Sequence, residues 1–119
     1  MFQTGIFPKV TGYTSKEAIM KYGPDGQVIA EITLGVGGGS VKYPVMWVLV
    51  TVWDKLAEQA LEAIDRKGLA VEASGMLLVR LYEGKRGTAV AIELKNVREL
   101  RLYDRDGELV KVLSGEKAE

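Results

Sequence analysis

The stretch from Met46 to Glu58 carries the side chains of this chain that are best suited to binding a flat partner. Alternate positions of a strand share a face, which groups Trp47, Leu49, Thr51 and Trp53 on one side and Met46, Val48, Val50 and Val52 on the other. The second face is wholly apolar and is predicted to be a core face. The first face holds both tryptophans of the chain and therefore indicates an aromatic surface on which planar groups could stack.

Composition excludes most catalytic chemistry. The chain of 119 residues has no cysteine and no histidine, which rules out zinc sites, thiol nucleophiles, serine–histidine–aspartate triads and imidazole acid–base catalysis within one chain. Carboxylates are plentiful, but none form a recognisable acid–base pair. We therefore expect a protein that is not an enzyme and that needs no cofactor or metal.

Charge is balanced overall, with 16 basic and 16 acidic side chains, so binding by a uniformly cationic surface is not expected. The segment from Arg66 to Arg101 is locally cationic, with a net charge of +4. The sequence shows neither a signal peptide nor a membrane span, and the expected location is the cytoplasm.

The elements that position these side chains are mainly strands. Alternating or apolar runs predict strands over Gln27–Val36, Val45–Trp53, Leu69–Tyr82, Thr88–Leu94, Val97–Tyr103 and Glu108–Leu113. A helix of about 13 residues is predicted from an N-cap at Asp54 to stop signals at Arg66, Lys67 and Gly68. The first 22 residues indicate a loose arm or a short strand plus loop. Gly75 is predicted to bend its strand, and Gly35–Pro44 to form a flexible loop.

This order predicts a mainly β fold: a five-stranded OB-fold barrel with one α-helix between strands 3 and 4. One domain is expected over residues 1–113, followed by a short disordered tail over residues 114–119. Asp104, Asp106 and Glu108 could suggest a metal site, but a simple turn accounts for them better because the remaining ligands of a calcium loop are missing.

Three blocks of residues resemble the bacterial single-stranded DNA-binding proteins. Lys21–Gly26 with Ala30–Leu34 is similar to the family's Arg-Tyr-x-Pro-x-Gly turn and following strand. Trp47–Glu58 is similar to its Trp-x-x-Val-x-x-Phe-Gly-Lys-Leu-Ala-Glu block. Lys67–Gly75 with Arg80–Tyr82 is similar to its Lys-Gly-x-x-Val-x-(Ile)-Glu-Gly segment and the hairpin beyond.

The resemblance implies sequence-independent binding of single-stranded DNA, with protection of exposed strands in replication, recombination or repair. Bases would stack on Trp47, Trp53 and Tyr82. Phosphates would contact Lys21, Lys55 and Arg80, which match cationic positions of the family. Lys85 and Arg86, at a predicted hairpin tip, would contact phosphates as well. Such a face can bind RNA as well as DNA. The implied assembly is a homo-oligomer, a tetramer before a dimer, in the cytoplasm and associated with the nucleoid.

Leu49, Leu78 and Leu81 stand where the family commonly has cationic or polar residues. They favour an alternative, an OB-fold protein–protein interaction module of a replication-restart complex. The family's Gly- and Pro-rich tail with an acidic tip is missing from this sequence, so recruitment of other proteins through such a tip is not expected.

Overall fold

A computed structural model describes residues 4–38 and 40–115 and shows a mainly β fold with one helix. In chain order the elements are β1 Lys9–Thr14, β2 Ile19–Tyr22, β3 Val28–Val36, β4 Met46–Trp53, α1 Asp54–Ala63, β5 Ala70–Ser74, β6 Met76–Gly84, β7 Gly87–Lys95, β8 Leu100–Tyr103 and β9 Leu109–Leu113. The mainly β prediction with a single helix is therefore confirmed for the described residues.

The strands form one sheet in the order β6-β7-β4-β3-β1-β5-β8-β9, with β2 paired to β3 beside this path. The predicted five-stranded barrel is not confirmed, because the described sheet has nine strands and its path runs open from β6 to β9. The helix follows the fourth strand rather than the third. This difference arises because the amino-terminal region forms two strands, β1 and β2, where the sequence predicted at most one.

The predicted bend at Gly75 is confirmed, since it separates β5 from β6. A Cβ atom at Gly75 would lie 2.5 Å from the carbonyl oxygen of Lys95, so only glycine fits this close approach of two backbones. The returning chain is interrupted at Asn96, which has a φ of +57°. As a result β6 pairs with β7, whereas β5 pairs separately with β8.

The core lies where the strand alternation predicts it. Val48, Val50 and Val52 of β4 are buried together with Ala30, Ile32 and Leu34 of β3 and with Leu56, Ala57 and Ala60 of α1. Met46 is the exception to the predicted apolar core face. It lies at the first position of β4 and is 47% exposed.

Both predicted ends of the helix require correction. The N-cap residue is Trp53 rather than Asp54, and no side chain caps the helix. The helix ends at Ala63 after 10 residues instead of about 13, so Arg66 and Lys67 lie beyond its last turn. Asp54 itself has a φ of +56°, a left-handed conformation that residues other than glycine rarely adopt.

After β9 the chain returns to the helix, where the backbone N–H of Gly115 donates a hydrogen bond to Oε1 of Gln59 over 3.4 Å. Residues 116–119 of the predicted tail lie outside the described residues, as does Gly39 of the predicted loop. No helix in the described part of the chain is long and apolar enough to cross a membrane.

Candidate nucleic-acid interface

Strand register brings the outward side chains of β4, β6 and β7 onto one face of the sheet. Leu49 lies opposite Glu93 of the parallel strand β7, and Arg80 and Tyr82 of β6 lie opposite Ala91 and Ala89. Cross-strand partners share a face. The long side chains of β4 and β6 are therefore separated by the mostly small outward side chains of β7.

These side chains line a concave surface, and the cavity that it encloses has a volume of about 350 Å³. We call it the Trp47 surface; it is lined by Thr33, Trp47, Leu49, Arg80, Tyr82, Val90, Ala91, Ile92 and Glu93. Trp47 is 56% exposed and Tyr82 is 46% exposed, so neither ring is a core anchor. Gly35 makes room for the indole, since a Cβ atom there would lie 3.0 Å from Cζ3 of Trp47.

Arg80 is held by a carboxylate within the same surface. Its Nη2 lies 3.2 Å from Oε1 of Glu93. The Arg80 side chain is 62% exposed, whereas that of Glu93 is 11% exposed. A phosphate that binds Arg80 must therefore compete with the nearly buried carboxylate of Glu93.

Trp53 lies apart from the Trp47 surface. The two residues are six positions apart on β4, which is roughly 20 Å along a strand. Trp53 lines a different cavity of about 620 Å³ with Phe7, Gly75, Met76, Asn96, Val97 and Arg98, and we call this the Trp53 site. Its ring also packs on a turn, because a Cβ atom at Gly23 would lie 3.0 Å from Cζ3 of Trp53.

Two of the predicted phosphate-binding lysines lie near the Trp53 end of β4. Lys21 pairs in register with Ile29, which in turn pairs with Trp53. The Nζ atom of Lys21 lies 2.8 Å from Oε1 of Glu31. Lys55 is exposed in the first turn of α1 and makes no ion pair within the described part of the chain.

Lys85 and Arg86 form the exposed tip of the β6–β7 hairpin, as the sequence predicted. Neither makes an ion pair among residues 4–38 and 40–115. The hairpin extends the strand that carries Arg80 and Tyr82, so both cations lie beyond the Tyr82 end of the Trp47 surface.

The structure thus groups Trp47, Arg80 and Tyr82 and leaves Trp53 with Lys21 and Lys55 at a second location. Sequence reasoning missed Glu93, which neutralises Arg80, and Arg98, which lines the Trp53 site. The inward–outward alternation of β7 could have placed Glu93 on the outer face. Its pairing with Arg80 depends on strand register, which no local pattern specifies.

The acidic turn after β8 is explained without a metal. The Oδ1 atom of Asp104 accepts hydrogen bonds from the backbone N–H groups of Asp106 and Glu108 over 2.9 and 3.0 Å. Gly107 follows with a φ of +79°, as a tight turn requires. Within the described residues, no group of three or more histidine, cysteine or acidic side chains could hold a metal ion.

Neither a scan against protein-family models nor a search of the curated proteins found a match to this chain.

Proposed function

We propose that this protein binds single-stranded DNA with little sequence preference, and that the Trp47 surface is its principal binding site. The observation that carries the proposal is the meeting of Trp47, Tyr82 and Arg80, from two non-adjacent strands, on one concave face. Exposed rings offer π-faces that any base can stack on, at about 1–3 kcal/mol per base. The guanidinium of Arg80 on the same face can contact the phosphates that connect those bases.

The strand pairings support the finer proposal of an OB-fold barrel. If β5 and β6 count as one strand bent at Gly75, and β7 and β8 as one strand interrupted at Asn96, five strands remain besides β2 and β9. Their pairs join β1 with β3, β3 with β4, β4 with β7, β7 with β6, and β5 with β1. That cycle includes a parallel pair between β4 and β7, and it is the pairing we expect of such a barrel.

The backbone at Asp54 gives separate support to the resemblance. The bacterial single-stranded DNA-binding proteins have glycine at the corresponding position of the Trp47–Glu58 block. Asp54 has a φ of +56° here, a conformation that glycine adopts at little cost. The local geometry is therefore the one that the family's residue favours.

The proposed role is protection of exposed strands in replication, recombination or repair by a cytoplasmic, nucleoid-associated homo-oligomer. An apolar patch on the back of the β6–β7 hairpin supports the oligomer. Val79 and Leu81 are each more than half exposed, and register places them on the face opposite Arg80 and Tyr82. Exposed apolar patches of this kind mark contact surfaces.

The same patch favours the alternative function, a protein–protein interaction module of a replication-restart complex. The two proposals differ in which face of the hairpin does the binding. DNA binding uses Arg80 and Tyr82, whereas a purely protein-binding module would use Val79 and Leu81.

Fluorescence anisotropy with labelled oligo-dT tests the proposal, with duplex DNA of equal length and oligo-rU as comparisons. We expect oligo-dT to bind more tightly than the duplex, and its affinity to fall as salt rises because counterions are released from the strand. Failure of the folded protein to bind oligo-dT at low salt would contradict DNA binding. If the protein then bound a different protein, and mutation of Val79 and Leu81 abolished that association, the alternative would be favoured.

A further inference from the structure

A row of aromatic residues crosses the sheet from the Trp47 surface toward β8. Trp47 and Tyr13 are both cross-strand partners of Gly35, and Tyr13 and Tyr103 are both partners of Ala70. Aromatic and small side chains therefore alternate over five adjacent strands, β4, β3, β1, β5 and β8. We call Trp47, Tyr13 and Tyr103 the aromatic row.

All five positions lie on the outer face, since their chain neighbours Val48, Leu34, Thr14, Val71 and Leu102 are buried. Neighbouring strands are about 4.8 Å apart, so successive aromatic residues of the row are about 10 Å apart. The indole of Trp47 lies over Gly35, and Ala70 places only a methyl group between Tyr13 and Tyr103. Tyr13 is 64% exposed, which a ring packed into the core would not be.

The far end of the row is cationic. Tyr13, Ala70 and Tyr103 line a cavity of about 570 Å³ together with Arg66, Lys67 and Arg105. None of these three cations forms an ion pair in the described part of the chain. Asp104 also lines the cavity, but its Oδ1 atom accepts two backbone N–H groups of its own turn. The cavity therefore presents a net positive charge beside two tyrosines.

Thr14 holds the loop that carries Arg66 and Lys67 in place. Its buried hydroxyl donates to the carbonyl oxygen of Arg66 over 2.8 Å and accepts from the backbone N–H of Leu69 over 3.0 Å. Its backbone N–H donates to the carbonyl oxygen of Leu69, and its carbonyl oxygen accepts from the N–H of Gly68. Four hydrogen bonds thus fix this loop beside Tyr13, so little ordering is needed when a ligand binds.

We propose that the aromatic row and its cationic end bind a second segment of the same nucleic-acid strand that occupies the Trp47 surface. Tyr13 and Tyr103 stack bases, and Arg66, Lys67 and Arg105 contact phosphates. Spaced aromatic rings that end among unpaired cations suit a ligand with repeating planar and anionic groups, and Trp47 begins the row in the proposed site. This inference rests on the proposed function and extends it to a longer strand path around the sheet.

The test compares two lengths of oligo-dT by anisotropy: about 6 nucleotides, to occupy the Trp47 surface alone, and about 20, to exceed one OB-fold site. In the Arg66→Gln/Arg105→Gln protein we expect roughly tenfold weaker binding of the long strand and unchanged binding of the short one. Log affinity falls as log salt rises, and loss of two phosphate contacts should make this slope shallower by about 1.4 for the long strand. A Tyr13→Leu/Tyr103→Leu protein should show the same dependence on length without the change in slope.

Lys95→Gln/Lys111→Gln is the matched control, because it removes two exposed charges that do not line this cavity. If the Arg66→Gln/Arg105→Gln protein and the control protein bound the long strand equally, and both still bound the short strand, the aromatic-row proposal alone would be overturned. If the unaltered protein bound neither length, the proposed function would fail and this inference with it. Circular dichroism establishes that each variant is folded.

Discussion

Strand β4 carries a tryptophan at each end, and the surroundings of the two residues differ. Trp47 lies open in a concave face beside Arg80 and Tyr82, with Gly35 beneath its ring. Trp53 lies at the junction with the helix and packs on Gly23 of a turn. Each indole lies over a glycine and is about half exposed, so the two tryptophans differ mainly in the residues that surround them.

The electrostatic surroundings differ as well. At the Trp47 end, the nearby cation Arg80 is paired with the nearly buried Glu93. At the Trp53 end, Lys21 is paired with Glu31, while Lys55 makes no ion pair among the described residues. Trp47 therefore shares its surface with a neutralised cation, whereas an unpaired cation follows Trp53 two residues along the chain. Substitutions at the two ends of β4 should separate the contribution of each tryptophan to DNA affinity from its contribution to the free energy of unfolding.

The largest effect should come from Trp47→Ala. Loss of a stacking platform should weaken oligo-dT binding by about 1–3 kcal/mol. The free energy of unfolding should fall less than in Trp53→Ala, because the indole of Trp47 is the more exposed of the two. Anisotropy and urea denaturation measure the two quantities. Val110→Ala changes an exposed apolar residue of β9 that does not line the Trp47 surface, and this control should leave affinity for DNA unchanged.

Trp53→Ala should show the reverse pattern. Removing a half-exposed ring that packs on Gly23 should lower the free energy of unfolding by roughly 1–2 kcal/mol, less than a fully buried tryptophan would cost. Affinity for a short oligo-dT should remain within about threefold. A stable variant with a large loss of short-strand affinity would show that both ends of β4 bind the same few bases.

Glu93→Gln should strengthen DNA binding. The amide keeps the shape of the side chain and can still accept a hydrogen bond from Arg80, but it no longer competes electrostatically with phosphate. Because Arg80 is largely in water, we expect the pair to contribute no more than about 1 kcal/mol, which corresponds to a gain of up to about fivefold at low salt. Glu62→Gln, on the exposed side of the helix, is the charge-matched control. Equal gains in both variants would mean that only net charge matters.

Asp54→Gly should have the smallest effect. Glycine relieves the positive φ at the strand–helix junction but loses a favourable carboxylate in the first turn of the helix, so unfolding should change by less than about 0.5 kcal/mol. Asp54→Ala loses the carboxylate without relieving the backbone and should cost about 1 kcal/mol. Equal destabilisation by both substitutions would refute the role assigned to this φ.

Local patterns predicted the elements whose two faces differ clearly. The alternation of β3 and β4, the bend at Gly75 and the helix after Trp53 were all predicted from the sequence and are confirmed. Strand β1 was predicted only as a loose arm or short strand because its closely packed positions are not large apolar residues. Thr14 is buried, and a Cβ atom at Gly12 would lie 2.5 Å from the carbonyl oxygen of Gly35.

The arrangement of the site was harder to predict because it depends on which strands are neighbours. Trp47, Trp53 and Tyr82 are conspicuous in the sequence as exposed aromatics, and they remain predicted DNA contacts. The sequence predicted that the two tryptophans belong to one stacking surface because they share a strand face. Only the register between distant strands reveals that Trp47 is aligned instead with Tyr13, through Gly35.

Tryptophan fluorescence of two single-tryptophan proteins tests the central claim most directly. Trp53→Phe retains only Trp47, and Trp47→Phe retains only Trp53. On addition of a short oligo-dT, we predict strong quenching in the protein that retains Trp47, because bases stack directly on that ring, and weak quenching in the other. Absence of quenching from Trp47 in a folded protein at low salt would contradict the claim that the Trp47 surface binds single-stranded DNA.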